Sequence, residues 1–289
     1  MRRKMGAAGT VLAMAGLVAT ACTNNNTPSG SPAAQPDSGT SDQVVAAAYD
    51  RTTAAKTAKT TITTEIGTGG QKVPVNASGV IDFAGPSADL TENMGLGSME
   101  VRFLNGLVYA QLPPQLAQRM GAGKPWSSLD LNRIAQQQYG ASLADLQSSL
   151  PGDPTDTLGY LRGAGDQVTK VGQETVDGVQ TTHYNVTLDL DKAAANQSPQ
   201  REQAVRKLEQ QLGTHTVPAQ VWIDDQGRLR KMTFTETMAN PPSRPNGQSG
   251  PITIDVTEVL SDFGIPVNVT APPADQTTDV TDQVLKGGH

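Results

Sequence analysis

His183, His215 and His289 are the three histidines of this chain, and none stands at a usable spacing from another histidine or from a cysteine. Zinc centres and nucleophilic triads need convergent ligands, so neither is expected and no histidine is assigned catalysis. His183 is out of phase with the apolar Tyr184 and Val186 and is predicted to face solvent. Asp224 and Asp225 pair like a two-carboxylate site, but they open a hairpin, where Asp is favoured by turn geometry. Asp189 and Asp191 share a strand face, yet the glycine and spaced oxygens of a calcium loop are missing, so a capping or solvated role is expected. No serine sits in a G-x-S-x-G elbow and no glycine-rich phosphate loop is present. The expectation is a non-enzyme without metal or cofactor.

The remaining reactive residue is Cys22, the single cysteine. Arg2, Arg3 and Lys4 precede an uncharged run, Met5 to Ala21, with the character of a secretory signal. Leu17-Val18-Ala19-Thr20-Ala21 places small residues directly before Cys22. This arrangement resembles the lipobox of bacterial lipoproteins, which implies signal cleavage after residue 21, diacylation of the Cys22 sulfur and a place on the extracytoplasmic face of the cell membrane. Two long acyl chains, at about 0.8 kcal/mol per buried methylene, anchor a protein firmly. A lone cysteine also excludes an internal disulfide. Residues 23 to 41 contain no large apolar side chain and are expected to form a disordered tether with a reach of roughly 25 Å.

Composition narrows the partners. A net charge of -6 and 11 aromatic residues in 289 remove the positive field and the stacking platforms of nucleic-acid binding. Glycine and proline make up about a sixth of the chain, which favours short elements between many turns.

The elements follow from period. Val44, Val45, Ala48 and Ala55 recur at helical spacing and predict an opening helix over 42–58, capped by Ser41 or Asp42. Apolar residues then alternate with polar ones in many segments, the mark of an antiparallel sheet with one apolar face. Asn105-Gly106, Asp177-Gly178 and Asp225-Gln226-Gly227 mark three hairpins. Short amphipathic helical pieces are expected within 114–149, using Leu129, Ile134, Leu143 and Leu146, and a cleaner helix over 199–212. Residues 240–250 read as a loop, and the tail from 271 to 289 as extended or disordered. The fold class expected is α+β, a single strongly curved antiparallel sheet with helices on its concave face, over 42–270.

The segments VDGVQTTHYNVTLDLD (176–191), VWIDDQGRLRKMTFT (221–235) and SDFGIPVNVTAPP (261–273), in this order behind a lipobox, resemble the actinobacterial envelope lipoproteins of the LppX/LprG type. That group is similar in turn to the lipoprotein carrier LolA and the sensor RseB. The residues alone leave a packed core and a ligand cavity as alternatives for the alternating apolar positions. The resemblance implies a half-barrel whose cavity takes a lipid or acylated glycolipid, without catalysis. The positions that would line it are Ile81, Phe83, Met99, Val101, Phe103, Tyr184, Val186, Leu188, Met232, Phe234, Ile252 and Ile254. The rival expectation is an envelope interaction or sensor protein that uses the same fold to bind a protein partner. A monomer is expected, with an envelope transporter or signalling protein as a further partner.

Overall fold

The chain divides into two units, 1–33 and 34–289. The computed structural model describes residues 40–68, 70–85, 87–93, 97–114, 117, 123–139, 161, 164–194, 206, 209–210, 212–238 and 250–286. The signal, Cys22 and the tether as far as residue 39 therefore lie outside the described residues. So do 140–160, with Leu143 and Leu146, most of 199–208, and 239–249, which hold nearly all of the loop expected over 240–250.

Helix α1 (Ser41–Thr53) opens the fold behind Thr40, one residue earlier than the predicted cap; Gln43 Oε1 accepts the Thr40 N–H at 3.1 Å. It also ends sooner than Ala58. Thr52 and Thr53 turn their hydroxyls back onto the carbonyls of Ala48 and Tyr49, Lys56 takes a φ of 68°, and the β-branched run that follows is strand.

Among the described residues twelve strands make one sheet: β1 (Thr57–Thr68), β2 (Gln71–Asp82), β3 (Ser87–Asn93), β4 (Ser98–Leu104), β5 (Leu107–Gln111), β6 (Trp126–Asp130), β7 (Ala164–Val176), β8 (Val179–Asp189), β9 (Thr216–Asp224), β10 (Leu229–Met238), β11 (Ile252–Ser261) and β12 (Thr277–Asp279). The order is β12-β6-β5-β4-β3-β2-β1-β11-β10-β9-β8-β7, antiparallel throughout except for β12 beside β6. The sheet is curled and unclosed, an α+β half-barrel, as expected. All three hairpins form where the turn residues placed them. Asn105 and Gly106 (φ 53° and 77°) join β4 to β5, Asp177 and Gly178 (φ 47° and 79°) join β7 to β8, and Gly227 (φ 76°) lies in the β9–β10 turn. Two register shifts kink the long edge strand β7, a device that spoils an edge as a template for foreign strands.

Directly paired residues share a face of the sheet, so register fixes the inner set. Ala58, Ile81, Ala88, Phe103, Val108 and Leu129 form one row across β1 to β6. Val186, Ala219, Phe234 and Val256 form another across β8 to β11. Helix α1 packs on β7, β9 and β10, and its Val45 and Ala48, both 0% exposed, join the cluster that contains Ile81, Val186 and Met232. The Thr52 hydroxyl also accepts the Leu229 N–H at 2.8 Å, which ties the end of α1 to the irregular start of β10.

Two expectations are corrected. Leu129 lies in β6 rather than in a helix; the helix there is α2 (Leu131–Tyr139), which holds Ile134. The tail after residue 270 is folded, with a 3-10 turn at Ala274–Gln276, strand β12 and helix α4 (Thr281–Leu285). Its backbone is satisfied by the sheet: β12 pairs in parallel with β6, Lys124 Nζ donates to the carbonyls of Ala274 and Thr277, and Arg133 pairs with Asp279 and Asp282. Few apolar residues suffice because strand pairing, which composition does not register, holds this segment. Among the described residues no helix is long and apolar enough to cross a membrane.

Candidate functional site

Eleven of the twelve positions expected to line a cavity lie in strands, and the register puts all eleven on the inner face. The twelfth, Phe83, follows the end of β2 and packs against the rim of the core, its N–H bonded to the Lys56 carbonyl.

These positions do not share one environment. Ile81, Val101, Tyr184, Val186, Leu188 and Met232 are buried, at 0 to 6% exposure, and form the closed half of the face. Met99, Phe103, Phe234, Ile252 and Ile254 are only half-buried, as are their neighbours Ile62, Ile66, Val75 and Val256. Val73, paired with Ile66, is 52% exposed. The open half is thus an apolar sheet surface that the described residues leave partly uncovered, continuous with the core.

Three carboxylates interrupt the inner face. Glu258, 1% exposed, lies between Ile62 and Met232 and accepts a hydrogen bond from Thr60 Oγ1 at 3.2 Å. Glu92 pairs with Ala77 and Met99, and Glu236 with Ile254. Burial raises the pKa of both Glu92 and Glu236 above the ordinary carboxylate value.

The outer face differs in chemistry. Thr169, Asn185, Gln220, Thr233, Thr257, Thr63, Asn76, Asn93 and Ser98 form one uncharged polar row across nine strands. Over β7 to β10 it runs along a groove of about 430 Å³. Hydroxyls and amides of this kind suit a hydrogen-bonding ligand, and Val186, Pro218, Ala219 and Phe234 add apolar lining to the groove.

His183 is on this outer face, as its phase predicts, but it is 7% exposed and does not meet solvent freely. Its ring stacks on Trp222 at 4.2 Å, its Nδ1 lies 2.9 Å from Glu174 Oε1, and Trp222 Nε1 donates to Glu174 Oε2 at 2.7 Å. The Trp222 and His183 bonds hold the Glu174 carboxyl below its usual value. The paired strands bring Trp222 opposite His183, a cross-strand relation that the phase of β8 alone does not contain.

Asp224 has the turn role expected, though it is buried rather than solvated, and Asp189 caps helix α3 (Leu190–Ala194) by accepting the Lys192 N–H at 3.0 Å. Asp191 lies inside α3, so the two carboxylates do not share a strand face. The structure instead gathers Asp191, Glu209 and His215, whose ligand atoms all lie within 4.8 Å of one another. Spacing missed this trio because Asp191 reaches Glu209 and His215, which a local turn joins, only when β8 and β9 pair.

No protein-family model matches the chain. It is 28% identical over 257 residues to an uncharacterised 31.2 kDa protein of Streptomyces griseus, covering 82% of this chain and 78% of that one. It is 24% identical over 204 residues to a candidate lipoprotein of Streptomyces coelicolor, covering 71% of this chain and 59% of that one. Among solved structures it is similar to the Mycobacterium tuberculosis lipoprotein LppX, with a TM-score of 0.46, 14% identity and coverage of 79% and 100%. LprF from Mycobacterium bovis is similar with a TM-score of 0.41, 14% identity and coverage of 80% and 96%.

Proposed function

We propose that this chain is an envelope lipoprotein, anchored through Cys22 on the extracytoplasmic face of the cell membrane, that takes the acyl chains of a lipid or acylated glycolipid against the open half of its inner face. The observation that carries this reading is the division of that face. A protein whose sheet served only as a core would cover it evenly, whereas here Ile254, Phe234, Met99 and Val73 keep apolar surface partly exposed beside a well-closed cluster. Each buried methylene of a ligand gains about 0.8 kcal/mol. Shielding alone is enough for carriage; no bond needs to be made or broken. The lipobox resemblance and the candidate lipoprotein among its Streptomyces relatives support the anchored setting.

Native mass spectrometry of the chain purified from its own host tests the proposal, together with uptake of a fluorescent fatty-acyl probe. Retained lipid and saturable uptake are expected. A chain that carries no lipid and takes up no probe, yet co-purifies with one envelope protein, would replace this reading with the interaction or sensor role.

A further inference from the structure

We infer that Asp191, Glu209 and His215 form a binding site for a divalent transition-metal ion of the zinc class. His215 Nδ1 lies 3.3 Å from Glu209 Oε1 and 3.6 Å from Asp191 Oδ2. Ligands about 2.0–2.1 Å from a tetrahedral ion are separated by roughly 3.3–3.5 Å, so the two edges at His215 are close to those of a zinc coordination polyhedron, and the third, within 4.8 Å, closes by a small movement of the exposed Asp191.

The second observation is Glu209 itself. Its side chain is 9% exposed, and its Oε1, the oxygen aimed at His215, is shut off from solvent and accepts no hydrogen bond. A buried carboxylate oxygen left in that condition is costly unless a cation meets it. A proton on Nδ1 can lie in line with only one of the two facing carboxylates, whereas a metal ion can satisfy all three groups at once.

The surrounding backbone fixes the geometry. Leu190 N–H donates to the His215 carbonyl at 3.0 Å, which locks the start of α3 to the entrance of β9. Gly213, at φ 71°, donates to the Glu209 carbonyl at 2.7 Å, so the turn between Glu209 and His215 is closed by its own hydrogen bond. One imidazole and two carboxylates are a donor set for zinc, nickel or cobalt; calcium would require six to eight oxygens. Asp191 and His215 are 71% and 70% exposed, so the ion has an entry path. Three protein ligands leave a fourth position for water.

The test uses the full-length chain, without an affinity tag, stripped with a chelator. Zinc titration by calorimetry should show one saturable site, cobalt should give the visible absorption of a low-coordinate nitrogen–oxygen site, and zinc should raise the thermal midpoint. His215→Ala and Asp191→Ala should each weaken zinc binding by more than about 10-fold, the loss that even an outer partner of a metal site can bring. Asp191 is exposed, so its variant should keep the circular dichroism of the folded chain. Absence of saturable binding, or unchanged affinity in the folded Asp191→Ala and His215→Ala variants, would overturn the site and leave an ion-pair cluster only.

Discussion

Asp224 shows how much a single side chain can carry in a turn. With its side chain at 0% exposure, it accepts the N–H groups of Gln226 and Arg228 on one oxygen and the guanidinium groups of Arg228 and Arg230 on the other. Both guanidinium groups stack on Phe263. Removing one member of such a buried pair strands the other, so Asp224→Asn should cost about 3 kcal/mol in a urea titration, whereas Asp225→Asn on the exposed side of the turn should cost less than about 0.5 kcal/mol. Desolvation opposes ionisation of Asp224, but the Arg228 amide and guanidinium and the Arg230 guanidinium outweigh it and hold the carboxyl below the ordinary value. A depressed folded pKa contributes stability that is present above the unfolded value near 4 and lost as pH falls through the folded one. Stability measured from pH 6 downward should therefore fall less steeply below about pH 4 in Asp224→Asn than in the native chain. Cys22→Ser belongs at this scale too. It should release the protein from the membrane fraction or leave it unprocessed, and unchanged fractionation and mass would refute the anchor.

Among the elements, alternation, hairpin turns and strand existence were legible in the sequence because each depends on neighbours in the chain. Boundaries set by distant partners were not. The end of helix α1 is pinned to β10 through the Thr52–Leu229 hydrogen bond, and β12 exists because β6 offers it an edge. The same division separates two kinds of inner-face position. Val186, 3% exposed in the closed half, has no room for growth, and Val186→Trp should cost about 1–3 kcal/mol. Ile254 is half-buried in the open half, and Ile254→Trp should change stability by less than about 0.5 kcal/mol while it sharply lowers uptake of a fatty-acyl probe. Equal destabilisation by both substitutions would mean that the whole face is packed core.

At the scale of the whole molecule, two raised carboxyl groups, Glu92 and Glu236, stand on the face proposed to meet acyl chains. Burial penalises their charged forms. The folded state is thus favoured below the unfolded pKa, and that advantage is lost as pH rises through the folded values. Neutralising them also makes the open half more apolar. Acyl-probe affinity is expected to rise as pH is lowered from 7 toward the carboxylate range, and Glu236→Gln should raise affinity at pH 7 and reduce the pH dependence. A flat profile in the native chain, with no gain in the variant, would place the acyl site elsewhere.

The amino-acid sequence by itself determined the fold class, the inner-face membership of eleven apolar positions and the three hairpins, since period and turn chemistry act over a few residues. Only the tertiary structure decided which of those positions are sealed and which stay open, because that depends on what the curl of the sheet and the elements packed on it bring over each position. It also decided that Gly79 must be glycine: the β3 backbone comes so close that a Cβ there would stand 2.0 Å from the Asp89 carbonyl oxygen. Asp191, Glu209 and His215 follow the same rule. Their types are written in the chain and a local turn joins Glu209 to His215, but Asp191 is brought to them only by pairing β8 with β9.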